Sequence, residues 1–136
     1  MATQIKGTNQ EFLEILKGLE SIKGVKGKAF GLLVARNIVH ISKHLKHIEN
    51  AAIPSTAFNE VAVVAHKLAE SEDTKALEEL EEKHKDIVDI RKKQLKEVEE
   101  MLLRASEVNV NLIREELIPD EVTAEQILPL LKILKD

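Results

Sequence analysis

The chain has 136 residues, 43% apolar and 32% charged, with a net charge of −4 at neutral pH. That suffices for the core of a single domain over residues 1–136, but only Phe12, Phe30 and Phe58 are aromatic, so the core falls to Leu, Ile, Val and Ala. The lack of Cys excludes disulfides and thiolate metal sites. No apolar run reaches the roughly 18 residues of a membrane span, since Ala29 to Ile41 is interrupted by Arg36, Asn37 and His40. With no stretch of signal-peptide type, an intracellular, cytoplasmic protein is expected.

The net charge conceals a split. Residues 1–68 carry nine Lys/Arg against five acids, and residues 69–136 carry eleven against nineteen. Such a split suits either a basic binding surface or two sets of helices that attract one another.

In chain order, Thr3 to Lys6 is a short strand-like piece. Phe12, Leu13, Leu16 and Leu19 at helical spacing predict a first helix from Asn9 or Gln10 to about Ile22, with Thr8 or Asn9 as N-cap. The Gly/Lys segment Lys23 to Lys28 breaks it. A second helix, Lys28 to about Asn50, carries the stripe Phe30, Val34, Ile38, Ile41, Leu45 and Ile48, and ends before Pro54. A third, from Ser55 or Thr56 to Glu70, turns Phe58, Val61, Val64, Ala65 and Leu68 inward.

After the turn Ser71 to Thr74, one long helix is expected from Lys75 to Ala105, about 45 Å at 1.5 Å per residue. Its seam is Leu77, Leu80, Ile87, Leu95, Val98 and Leu102, with Ile90 and Met101 at the edge. Such a stripe needs a neighbour, either the second and third helices or another copy. Val108 to Leu112 alternates with period two, so a strand here is expected to pair with residues 3–6 in a two-stranded ribbon, about 3–6 with 108–113. Thr123 and Gln126 form a capping-box pair opening a last helix, which Pro129 must kink or restart. The expected fold is therefore mainly α: an antiparallel helical hairpin or bundle, the small ribbon and a C-terminal helix.

Several constellations carry chemistry elsewhere. His40, His44 and His47 lie within about 60° on one helix face, but Arg36 and Lys43 beside them repel a cation, so no metal is expected. Glu81 and His84 give a single Glu-x-x-His, where di-iron bundles need two. The Gly24 to Lys28 turn fails the P-loop pattern because Ala29 follows Lys28, and it lacks the sheet of a KH domain. It approaches a helix-hairpin-helix, with Lys26 as an extra residue. No nucleophile–His–acid pattern is visible, so neither an enzyme nor a cofactor is expected.

Taken in order, Gln4-Ile5-Lys6, Gly27-Lys28-Ala29-Phe30, Ala35-Arg36-Asn37, Ile48-Glu49, the alternating Ser106 to Ile113 and the Pro119-Asp120-Glu121-Val122-Thr123 opening of the last helix form a series of landmarks. In these the chain resembles small helical proteins of unknown function encoded by tailed bacteriophages and prophages. It departs from them in the long third helix, Ser55 to Glu70. The resemblance implies a phage origin and an assembly or virion-accessory role in the host cytoplasm or the particle, and it supplies no catalytic residues.

The expected function is non-enzymatic protein–protein interaction by helix packing, with itself or with phage structural proteins, through Leu77, Leu80, Ile87, Leu95, Val98 and Leu102. The alternative is a nucleic-acid-binding accessory protein using a cationic face of Lys23, Lys26, Lys28, Arg36, Lys43 and His44. A third reading is antagonism of a host factor by the acidic half. No membrane partner is expected.

Overall fold

The computed structural model describes residues 2–136, which form two compact units, one of residues 2–47 with 101–136 and one of Ile48–Glu100. The first, the sheet unit, opens with β1 (Ala2–Thr8), which pairs antiparallel with β2 (Ala105–Asn111) in the register Ile5↔Val108. The expected ribbon is therefore present, but it covers 2–8 with 105–111 rather than 3–6 with 108–113, beginning earlier on the second strand and leaving Leu112 and Ile113 outside it. Val108 and Val110 are buried while Glu107 and Asn109 face outward, as period two requires. Lys6 sits opposite Glu107 and reaches it at 3.4 Å.

Helix α1 (Asn9–Ser21) starts at Thr8, whose side chain accepts from the Glu11 amide while Glu11 reaches back to Thr8. Phe12, Ile15, Leu19 and, just past its end, Ile22 are buried. Ile15 takes a core position, and Leu13 and Leu16 are half-buried. The turn that follows places Gly27 at φ +137°, a conformation only glycine adopts freely. It leads into α2 (Lys28–Ala52).

On α2 the buried positions are Phe30, Val34, Asn37, Ile41, Leu45 and Ile48, so Asn37 takes the place the apolar pattern gives to Ile38. β3 (Ile113–Arg114) pairs in parallel with the terminal β4 (Leu134–Lys135). Between them the Thr123/Gln126 capping box opens a single turn, α6 (Ala124–Ile127). Pro129 then restarts the chain as a 3₁₀ segment, Leu128–Ile133. Val122, Leu130 and Ile133 complete the core. This segment packs so closely on α1 that a Cβ on Gly18 would lie 2.9 Å from the Pro129 ring.

In the helical unit, α3 (Thr56–Glu70) is capped by Ser55 and ends with Glu72 in the left-handed conformation at φ 57°. The Asp73 and Glu72 amides close onto Leu68 and Ala69, the Schellman pattern of a helix end. The single long helix expected from Lys75 to Ala105 is instead two helices, α4 (Thr74–Lys83) and α5 (Lys85–Leu103), separated at His84, whose ψ is 29°. The break follows the run Glu78, Glu79, Glu81 and Glu82. Like charges four apart, and carboxylates at a helix C-terminus, weaken the helix there. Val61 is buried on α3, with Phe58, Ala65 and Leu68 half-buried, but Val64, expected inward, is exposed.

Candidate interaction surfaces

Two side-chain clamps fix α2 within the sheet unit. Asn37 is fully buried, donates from Nδ2 to the Asn111 carbonyl at 2.8 Å and accepts the Asn111 amide at 2.7 Å. The side-chain amide thus does for β2 what a further strand would do, satisfying both backbone groups of one residue. A polar residue in a buried helical stripe is the signal that marks Asn37 in the sequence, and its spacing of three from Val34 and four from Ile41 is what identifies the stripe.

The second clamp joins Asn9, His44 and Ser106. Asn9 Nδ2 donates to the Met101 carbonyl at 2.9 Å and the Asn9 amide donates to the Arg104 carbonyl at 3.0 Å, so Asn9 satisfies carbonyls at the end of α5. That orientation turns Asn9 Oδ1 toward Ser106, whose hydroxyl donates to it at 2.6 Å. His44 Nε2 lies 2.9 Å from Ser106 Oγ and 3.3 Å from Asn9 Oδ1.

Since the serine proton goes to an amide oxygen, Nε2 carries a proton and donates to both. A serine nucleophile needs the reverse, an imidazole nitrogen with a free lone pair facing the hydroxyl. The arrangement is a structural clamp. Phe12 meets the imidazole edge-on at 5.5 Å, and burial, followed by repulsion from His47, lowers the His44 pKa.

The helical unit is held by a different device. Pro54 ends α2 without an amide to offer, leaving the last carbonyls in need of donors. Gln94 Nε2 donates to the carbonyls of Ala51 and Ile53, both at 2.7 Å, and Arg91 donates to that of Ala52 at 2.9 Å. Arg91 also donates to Gln94 Oε1 and lies over the Phe58 ring at 5.6 Å. Arg91 and Gln94 occupy seam positions of α5, so the seam is partly polar. An apolar count passes over both residues.

No residue of α4 or α5 is buried. Leu77, Leu80, Ile87, Val98 and Leu102 are half-buried, and Leu95 points outward at 45% exposure. Ile53 and Ile90 face one groove beside Lys93 and Glu97, and are 59% and 67% exposed.

The six residues of the expected cationic face do not share one. Lys23, Lys26 and Lys28 lie exposed at and beside the α1–α2 turn, where Lys23 pairs with Glu20 at 3.0 Å. Arg36 and Lys43 stand on the outer side of α2, and His44 is turned into its clamp. His40 and His47 are exposed, and no group of three or more His, Asp or Glu among the described residues is arranged to hold a metal ion. Glu81 is exposed and His84 marks the helix break. No helix of the described residues is long and apolar enough to cross a membrane. No family model matches the chain, and neither a curated protein nor a solved structure is matched by it.

Proposed function

We propose that this chain is a non-enzymatic protein–protein interaction component that assembles by helix packing, with the helical unit as its associating part. The observation that carries the reading is the poverty of that unit's interior. Only Ile48 and Val61 are buried there, while Ile53, Val63, Val64, Ile90 and Leu95 stay about half exposed or more. Ile53 and Ile90 line one groove, and an exposed apolar surface of this kind is what an association face offers. The placement of the role in phage assembly or in a virion rests on the sequence landmarks alone.

The test is the mass in solution across the micromolar range, for the native chain and for Ile90→Ser. The native chain is expected to run as a multiple of its 15.3 kDa mass, and Ile90→Ser to fall toward the single chain with its helix content retained. A native chain that stays single at every concentration removes self-assembly. A second reading, phosphate binding at the turn, draws on the exposure of Lys26 and Lys28. Its mark is duplex DNA binding that weakens steeply with added salt, whereas apolar packing responds little.

A further inference from the structure

A helix on a protein surface needs one apolar stripe, yet α2 has two. Opposite its buried stripe runs an outer strip of Leu32, Ala35 and Val39, with Leu32 47% and Val39 51% exposed. Lys28, Arg36 and Lys43 stand along it, all exposed and in no ion pair within the described residues. The same strip of another copy is a poor cover. A two-fold that sets Leu32 on Val39 also sets Lys28 on Lys43, and like charges placed face to face repel. The strip calls for an apolar helix that carries carboxylates.

The chain contains one. The helical unit has eight Lys/Arg against fourteen Asp/Glu. On α3 the exposed strip is Ala57, Glu60, Val63 and Val64, with Glu60 in no ion pair. The spacings match when the two helices run antiparallel. With Arg36 opposite Glu60, Leu32 falls opposite Val64 and Val39 opposite Ala57, because residues four before and three after Arg36 meet residues four after and three before Glu60. A parallel arrangement with the same central pair sets Lys43 on Lys67.

We infer that the outer strip of α2 docks, antiparallel, on α3 of a second copy, with Arg36 and Glu60 as the central pair. This inference rests on the proposed self-assembly and names one contact of it, separate from the groove that Ile53 and Ile90 line. Such an interface uses different surfaces on the two copies, so each copy keeps one surface free and growth continues into a ring or an open chain.

The experiment is a charge exchange read by sedimentation or light scattering, with circular dichroism as a check on folding. Arg36→Glu alone sets two carboxylates together, and Glu60→Arg alone sets two guanidinium groups together. Each is expected to raise the concentration for assembly roughly tenfold or more. An equimolar mixture of the two single variants restores assembly, since every contact in an alternating chain is again of opposite charge. The double variant Arg36→Glu/Glu60→Arg restores it as well. Single variants that assemble like the native chain overturn the contact and leave self-assembly standing. Single variants that are not rescued by mixing overturn the pairing of Arg36 with Glu60. A native chain that does not assemble overturns both readings, which Ile90→Ser then cannot shift.

Discussion

In the sheet unit, Asn37 spends both ends of its amide on Asn111, and Asn9, His44 and Ser106 satisfy one another between α1, α2 and β2. Fourteen buried apolar side chains surround these clamps. In the helical unit only Ile48 and Val61 are buried among apolar side chains, and the polar device, Arg91 with Gln94, sits on a helix end. A buried polar clamp is costly unless fully partnered, so it fixes a single arrangement; a capped helix end over a thin interior leaves local opening cheap. The two units are built from the same Leu, Ile and Val, and the difference lies in how many of those side chains find cover. Native-state hydrogen exchange is expected to show amides of α3, α4 and residues 85–100 exchanging well before those of α1 and β2.

The sharpest way to break this contrast is Asn37→Ala. It leaves the half-buried Asn111 amide and carbonyl without their partner. Since a buried unpaired group costs about 1–3 kcal/mol and these keep some access to water, a loss of roughly 1–3 kcal/mol is expected. The loss should appear in denaturant unfolding of the sheet unit, with exchange in the helical unit little altered. A loss below about 0.5 kcal/mol would mean that water replaces the clamp, and the sheet unit would then owe its order to apolar packing alone.

How much of this was legible in the sequence follows from the same physics. The Thr123/Gln126 capping box, the Pro129 restart and the helix ends near Ile22 and before Pro54 are local features, written in residues a few positions apart. The ribbon's alternation is local too, but its pairing joins residues far apart in the chain. The helix ends fall within about two residues of where the sequence puts them, but the ribbon covers 2–8 and 105–111 rather than 3–6 and 108–113. The break at His84 has no Gly or Pro to announce it, only the run of carboxylates before it. The roles of Asn9, Asn37, Arg91 and Gln94 depend on partners 39 to 97 positions away, which no periodicity reveals. For the same reason His44, read as one of a cationic row, turns out to face inward.

A smaller effect, of opposite sign, is expected in the helical unit. Glu72 holds the left-handed conformation at the end of α3, where a Cβ is disfavoured and glycine is the usual residue. Glu72→Gly is expected to stabilise the α3–α4 connection by about 0.5–1 kcal/mol, after the added chain entropy of glycine is taken off. It should also slow exchange in α3 and leave the sheet unit unchanged. A destabilised variant would show that the Glu72 side chain itself holds the turn.

The smallest effect concerns pH, and it arises in the sheet unit. The His44 pKa is lowered below its ordinary 6.5, first by burial and then by the charge of His47, so the unfolded chain binds this proton more readily than the folded one. The contribution to stability is therefore complete above pH 6.5 and declines as the pH falls from there toward the folded-state pKa. Protonation leaves Nε2–H in place, so the bonds to Ser106 and Asn9 survive, and the loss comes from charging a partly buried ring. His44→Gln keeps a side-chain donor beside Ser106 and cannot titrate. Its unfolding free energy is expected to vary less than the native chain's between pH 7 and pH 5, with the difference confined to the sheet unit. Equal slopes for the two proteins would place the acid sensitivity elsewhere and reduce His44 to an uncharged member of its clamp throughout that range.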